Sequence, residues 1–128
     1  MLGSPEPLEL VHCENYIHDL WHNRLDEKAM RRIGLPWSKE LMARTFTAPL
    51  GTLQTARLAL KHGIACHLAG GTHHAHTDFG SGYCMVNDLA FTSETLIKSG
   101  EVTNILIFDL DVHQGDGTAA MLAHQPYA

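Results

Sequence analysis

Two short apolar segments, each followed at once by a polar cluster, constrain the fold of this sequence more than any other feature. Residues 64–69 are mostly apolar and bounded by glycines, and residues 104–111 contain a continuous apolar run. Both are typical of strands buried in a parallel sheet. Between them, apolar residues at helical spacing follow Asn87 and Asp88, either of which can cap a helix. Strand, helix and strand in this order predict a right-handed βαβ unit, and therefore an α/β fold.

Capping and helix-breaking residues predict the other helices. Ser38 is a suitable N-cap for a helix that stops at Gly63. Pro49 lies inside this stretch, so we expect it to kink the helix or to divide it into two. Residues 8–22 and 118–124 are predicted to contain further helical segments.

The two polar clusters are predicted to lie close together. The first covers residues 70–84 and contains the adjacent histidines His73 and His74, while the second covers residues 109–117. In open parallel sheets, ligands bind outside the carboxyl ends of the strands. Both clusters follow such ends, so we expect them to meet in one crevice.

The second cluster has the side chains of a metal site. Asp109, Asp111 and His113 alternate with two apolar residues, so an extended backbone directs all three polar side chains to one side. A carboxylate and an imidazole on one face can bind the same divalent metal. Zinc suits this mixture of oxygen and nitrogen donors, and iron or manganese would also be tolerated.

The tandem histidines of the first cluster have two possible roles. His73 and His74 can supply metal ligands, or a general base and acid beside a metal-activated water. Neighbouring histidines in a loop can point in different directions, so their spacing leaves both roles open. His76 is close to the pair, and its role is equally open.

Composition and charge exclude several functional classes. The 128 residues include 9 Lys and Arg against 14 Asp and Glu, and the net charge of -5 argues against direct nucleic-acid binding. No apolar run approaches the roughly 18 residues that span a bilayer, and the N-terminus lacks the features of a signal peptide. Three cysteines without a CxxC pair indicate neither a disulfide framework nor a thiolate zinc site. We therefore expect a cytoplasmic protein without a membrane partner.

Two long motifs resemble the histone deacetylase superfamily. They are GGTHHAHTDFGSGYCMVND at residues 70–88 and IFDLDVHQGDG at residues 107–117, and they occur in the family's order. The similarity is greatest to bacterial-type members, which include acetoin-utilisation-like proteins and acetylpolyamine amidohydrolases. The resemblance implies an arginase/deacetylase-type three-layer α/β fold with a parallel sheet. It also implies zinc-dependent hydrolysis of the acetyl amide in acetylated lysine side chains or small acetylated amines.

The resemblance also implies roles for individual residues. Asp111 and His113 would be zinc ligands, with Fe²⁺ as another possible metal. His73 and His74 would be the tandem histidines beside the catalytic water, and His74 would be the general base.

The resemblance also implies roles for residues that surround the metal ligands and the tandem histidines. Asp109 would be the carboxylate partner of His73, and Asp116 that of His74, with both counted in the catalytic set. Asp109 would also help to bind a structural K⁺. Gly82 would offer its backbone carbonyl to the substrate amide, and Tyr83 would line the acyl-lysine channel. Cys84 matches the cysteine that the family places next to its active site.

The resemblance further implies that residues 1–128 are the N-terminal portion of a single deacetylase domain. Family members take a third zinc ligand, an aspartate, and an oxyanion-stabilising tyrosine from downstream segments, and we find neither after His113. The leading hypothesis is therefore a zinc amidohydrolase whose site this sequence supplies in part. The alternative is a non-catalytic module that retains partial metal binding.

Overall fold

A computed structural model describes residues 4–123 and residue 125 of the chain. Its elements are a short 3-10 helix at Glu6–Leu10 and five α-helices: α1 Glu14–Trp21, α2 Glu27–Ile33, α3 Lys39–His62, α4 Asp88–Lys98 and α5 Asp116–Leu122. None of the helices in these residues is both long enough and apolar enough to cross a membrane.

The helix ends follow the predicted capping chemistry. The Ser38 hydroxyl accepts a hydrogen bond from the Leu41 amide at 3.1 Å, and Gly63 ends α3. The Asn87 side chain accepts one from the Ala90 amide at 3.0 Å and so caps α4. These contacts satisfy backbone N–H groups that have no partner within the helix.

The helical segments predicted within residues 8–22 are present, and a break at residues 11–13 separates the 3-10 helix from α1. Two other helix predictions need correction. Helix α3 is continuous through Pro49, which is buried inside it, so the proline does not divide the helix. Helix α5 begins at Asp116, two residues earlier than predicted, and residue 124 lies outside the described residues.

The core is formed by helix side chains. Leu20 of α1 and Phe46 of α3 are fully buried, and Trp21 meets the Phe46 ring edge-on with 4.9 Å between the ring centroids. Phe91 and Leu96 extend the same cluster along α4. Burying each of these large apolar side chains stabilises the fold by about 1.5–3 kcal/mol.

The predicted parallel sheet is not formed by the residues that the structure describes. Residues 64–69 and 104–111 lie outside any helix or strand, and no backbone hydrogen bond connects the two segments within the described part of the chain. A strand exists only when a neighbour accepts and donates its backbone hydrogen bonds. The apolar pattern predicted both segments as strands, but a sequence pattern alone cannot supply the neighbour that a strand needs. The two segments nevertheless flank α4 as the βαβ prediction implies.

Candidate active site

The loop that carries the tandem histidines is fixed by a buried carboxylate. Asp88, the first residue of α4, accepts hydrogen bonds from the backbone amides of Gly71 and Thr72 at 3.0 and 2.8 Å. The hydroxyls of Thr72 and Thr52 both donate to it at 2.6 Å. Since Thr52 lies in α3, this carboxylate connects two helices to the segment just before His73.

Each tandem histidine is paired with an aspartate from the second polar cluster. The Nδ1 of His73 lies 2.6 Å from Asp109 Oδ2, and the Nδ1 of His74 lies 2.7 Å from Asp116 Oδ1. The two imidazole rings are adjacent, with 4.2 Å between their centroids. The structure therefore brings the two sequence clusters together as predicted, in two parallel His–Asp pairs.

Short-range packing of α5 holds this arrangement. The Thr118 amide donates to the His73 carbonyl at 3.0 Å. A Cβ placed on Gly117 would overlap the backbone of residues 73–75, and one on Gly115 would lie 2.6 Å from Asp109 Oδ2. Only glycine leaves enough room for such close approaches. The two glycines of the GDG sequence at residues 115–117 therefore allow the second polar cluster to pack directly against the first.

Asp109, Asp111 and His113 all face the tandem histidines. Asp111 Oδ1 lies 4.0 Å from His73 Nε2, and the His113 ring centroid lies 6.0 Å from that of His74. Within the run, the Asp111 carboxylate accepts from the backbone amide of His113 at 2.8 Å and lies 2.9 Å from its Nδ1. These hydrogen bonds lower the pKa of Asp111, and the bond from His73 lowers that of Asp109.

The donor set suits a zinc ion only in part. Asp111 and His113 offer the oxygen and nitrogen atoms that zinc binds, and they lie beside each other. Within residues 4–123 and 125, however, no group of three or more His, Cys, Asp or Glu side chains is placed to hold a metal ion. The described residues therefore contain two donors where a catalytic zinc usually has three protein ligands.

Gly82 and Tyr83 form a turn beside His74. Both have positive φ angles, 51° and 65°, and their amides donate to the carbonyls of Arg32 and Ile33 at the end of α2. A Cβ on Gly82 would lie 2.6 Å from Cδ2 of His74, so the glycine packs directly against that ring. The Tyr83 side chain is 70 % exposed and accessible from outside.

Sequence comparison identifies the family to which these motifs belong. Residues 3–127 match the histone deacetylase domain. The chain belongs to the histone deacetylase family. It is 54 % identical over 119 residues to an uncharacterized protein of Picosynechococcus, covering 93 % of this chain and 40 % of that protein. It is also 32 % identical to the acetoin utilization protein AcuC of Staphylococcus aureus, covering 91 % of this chain and 32 % of AcuC.

Solved structures of histone deacetylase (HDAC) homologues share the fold. One, an HDAC homologue complexed with SAHA, has a TM-score of 0.79 and 30 % identity, over 95 % of this chain and 35 % of its own. Another, from Aquifex aeolicus, has a TM-score of 0.78, over 94 % of this chain and 35 % of its own. The chain thus spans well under half the length of these relatives.

Two residues that support this cluster, His12 and Asp88, were not predicted from the sequence to do so. His12 is buried, donates from Nδ1 to the His76 carbonyl and accepts at Nε2 from the Asn87 amide, both at 2.9 Å. Burial lowers its pKa to about 4. Asp88 was predicted only as a cap. No local pattern could have indicated contacts over such distances in sequence.

Cys84 lies close to His74 in the structure. It is buried next to the tandem histidines, and this burial raises the pKa of its thiol. The thiol is therefore held in its neutral form near neutral pH, which favours a packing role over a nucleophilic one.

Proposed function

We propose that this chain supplies the general-base side of a metal-dependent deacetylase, which removes acetyl groups from acetylated lysine side chains or acetylated polyamine-type amines. Membership of the histone deacetylase family supports the reaction class. The observation that carries the proposal is the pair of His–Asp hydrogen bonds, at 2.6 and 2.7 Å, beside Asp111 and His113. Paired carboxylates of this kind orient imidazoles and raise their basicity.

His74 is the better placed of the two histidines to act as general base. Its side chain is 22 % exposed, whereas that of His73 is 7 % exposed. With Nδ1–H donated to Asp116, the Nε2 lone pair of His74 remains available to take a proton from an attacking water. His73, paired in the same way with Asp109, would orient and stabilise the neighbouring ring.

Asp116 remains a carboxylate throughout the neutral pH range. The hydrogen bond with His74 lowers its pKa to about 2, with a further contribution from His76. A permanent negative charge next to Nδ1 stabilises the imidazolium that forms when His74 accepts a proton.

Asp111 and His113 would hold the metal, and a bound zinc ion would act there as a Lewis acid on the substrate carbonyl. Gly82 would accept a hydrogen bond from the substrate amide through its backbone carbonyl. The exposed Tyr83 ring beside it would contact the alkyl chain of the substrate. A net charge of -5 favours acetylated substrates that carry further positive charge.

A metal titration tests the assignment of the ligands. We expect Asp111→Ala and His113→Ala to weaken zinc binding to the 128-residue chain by tenfold or more, measured by calorimetry. His62→Ala is the matched control, because His62 is an exposed histidine at the end of α3. Equal affinity of the His113→Ala and His62→Ala proteins would contradict the assignment.

A hybrid enzyme tests the reaction. In it, this chain replaces the matching 40 % of its 54 % identical relative, and hydrolysis of an acetyl-lysine peptide and of an acetylated polyamine is followed. We expect zinc-dependent turnover that His74→Ala lowers by roughly 10²–10⁴-fold without loss of bound zinc. Loss of zinc in that variant would instead make the tandem histidines metal ligands.

A non-catalytic module with partial metal binding is the second candidate. It is favoured by the finding of only two neighbouring metal donors in the described part of the chain. A hybrid that binds zinc through Asp111 and His113 but hydrolyses neither substrate would support this candidate and exclude the first.

A further inference from the structure

Asp116 is held by two histidines rather than one. Its Oδ1 lies 2.7 Å from His74 Nδ1, while its Oδ2 lies 3.3 Å from Nε2 of His76. The proposed role of Asp116 uses only the first contact. The second contact adds to the low pKa of Asp116, but the mechanism described above gives it no role in orienting that carboxylate.

The neighbouring pair shows why a second contact matters. Asp109 Oδ2 bonds His73, and the other oxygen, Oδ1, accepts from the Asp111 amide at 2.9 Å. Both oxygens of that carboxylate are thus fixed, which prevents it from rotating away from the imidazole. For Asp116, the side chain of His76 occupies the corresponding place.

His76 is itself firmly placed. Its backbone amide donates to the Phe79 carbonyl at 2.9 Å, and its carbonyl accepts from the buried His12 ring at 2.9 Å. Its own ring stacks on Phe79 with 4.3 Å between centroids and 19° between planes. The Arg32 guanidinium lies 4.5 Å from the centroid of the same Phe79 ring. A ring restrained at its backbone and on its face loses little further freedom when it bonds Asp116.

We propose that His76 is a positioning residue that holds the second oxygen of Asp116, and so fixes the carboxylate in the orientation that keeps the Nδ1 of His74 protonated. This inference rests on the proposed function for its catalytic meaning, but its structural content does not depend on deacetylation. Without the contact, the Asp116 carboxylate rotates about χ2. Its hydrogen bond to His74 Nδ1 is then formed only part of the time. The proton of the neutral His74 ring is then found on Nε2 as well as on Nδ1, so Nε2 is not always free to accept a proton.

Two amide substitutions separate this role from a general packing role. The amide nitrogen of Gln reaches about as far as the Nε2 of a histidine, whereas that of Asn is shorter and falls at the level of Nδ1. His76→Gln should therefore keep the bond to Asp116, and His76→Asn should lose it. His62→Gln and His62→Asn, at an exposed position, are the matched controls.

The readout is the tautomer of His74, measured by long-range ¹H–¹⁵N NMR on the 128-residue chain at about pH 8, where an ordinary imidazole is neutral. The amide ¹H–¹⁵N spectrum of each variant verifies folding. We expect a single Nδ1–H tautomer of His74 in the wild type, in His76→Gln and in both controls, and a mixture of tautomers in His76→Asn.

An unchanged His74 tautomer in a folded His76→Asn protein would overturn the proposal, as would equal disturbance by His76→Gln and His76→Asn. Because no activity is measured, the result is independent of the proposed function. A hybrid without deacetylase activity leaves this inference standing, and an undisturbed tautomer leaves the deacetylase proposal standing.

Discussion

At the scale of single residues, neighbours decide what each histidine does. His12 is buried at 3 % exposure, and both of its ring nitrogens are used in hydrogen bonds to backbone groups, so it acts as a neutral structural bridge. Among the described residues, Asp116 bonds one ring nitrogen of His74, and the other nitrogen keeps its lone pair available. Histidine thus has a structural role at position 12 and is a candidate general base at position 74.

The buried His12 makes stability depend on pH. Because its pKa falls from 6.5 to about 4 on folding, the unfolded chain binds the extra proton between these values. Stability is therefore fully present above pH 6.5 and is lost as the pH falls towards 4. The cost is about 2 kcal/mol between pH 7 and pH 5.

Urea unfolding at pH 7 and pH 5 checks this prediction. His12→Gln should be less stable than the wild type at pH 7, but its loss of stability between the two pH values should be smaller by about the same 2 kcal/mol. His62→Gln should retain the full wild-type loss. An identical pH dependence of His12→Gln and wild type would show that His12 is not the responsible group.

Sequence reasoning found the residues of the site but not what holds them. The alternation of Asp109, Asp111 and His113 predicted their common direction, which the contacts with the tandem histidines show. The pairings of His73 and His74 came from the family resemblance. His12 and His76 could not be assigned, because their partners lie far away in sequence and no local pattern records them.

At the scale of elements, local chemistry predicted helix ends better than helix continuity. The side chains of Ser38 and Asn87 cap the N-termini of α3 and α4, and Gly63 ends α3, all as the sequence predicted. Pro49 did not break α3, because it is buried against neighbouring elements and tertiary packing offsets the lost hydrogen bond. Capping depends on three or four neighbouring residues, whereas tolerance of a proline depends on the whole molecule.

Asp88 joins elements in a way that a substitution can test. Asp88→Asn replaces one acceptor oxygen with an N–H₂ group that faces the donors of Gly71, Thr72 and Thr52. Because a buried donor is then left without an acceptor, we expect the free energy of unfolding to fall by about 2 kcal/mol or more. Urea unfolding followed by circular dichroism measures it.

The matched control is Asp26→Asn at the start of α2. Asp26, unlike Asp88, accepts from a backbone amide in the first turn of its own helix; it is exposed, and asparagine is an equally good N-cap. We expect that change to leave stability within about 0.5 kcal/mol of wild type. Equal effects of the two substitutions would mean that the hydrogen bonds of Asp88 to α3 and to the histidine loop add no more stability than one exposed cap.

At the scale of the whole molecule, the helices are well packed, whereas the segment at residues 104–111 exposes apolar side chains. The helices share a closed core, while the segment at residues 104–111 leaves Leu106 88 % and Phe108 79 % exposed. A groove of about 790 Å³ lies between this segment, α3 and α4. The predicted strand is not formed by the described residues, because a strand requires a neighbour and no backbone hydrogen bond joins residues 64–69 to residues 104–111 there.

This unpaired apolar segment predicts self-association of the 128-residue chain. Within the described residues this segment makes no backbone–backbone hydrogen bond, and a backbone of this kind beside exposed apolar side chains pairs readily with another copy. We expect the apparent mass in sedimentation velocity to rise with concentration across the micromolar range.

Leu106→Lys with Phe108→Lys should keep the chain monomeric, because two charges would have to be buried on pairing. Leu50→Lys with Leu58→Lys, two partly exposed leucines of α3 that do not line this groove, should leave association unchanged. A wild-type chain that stays monomeric, or equal relief by both pairs of lysines, would show that residues 104–111 do not mediate association.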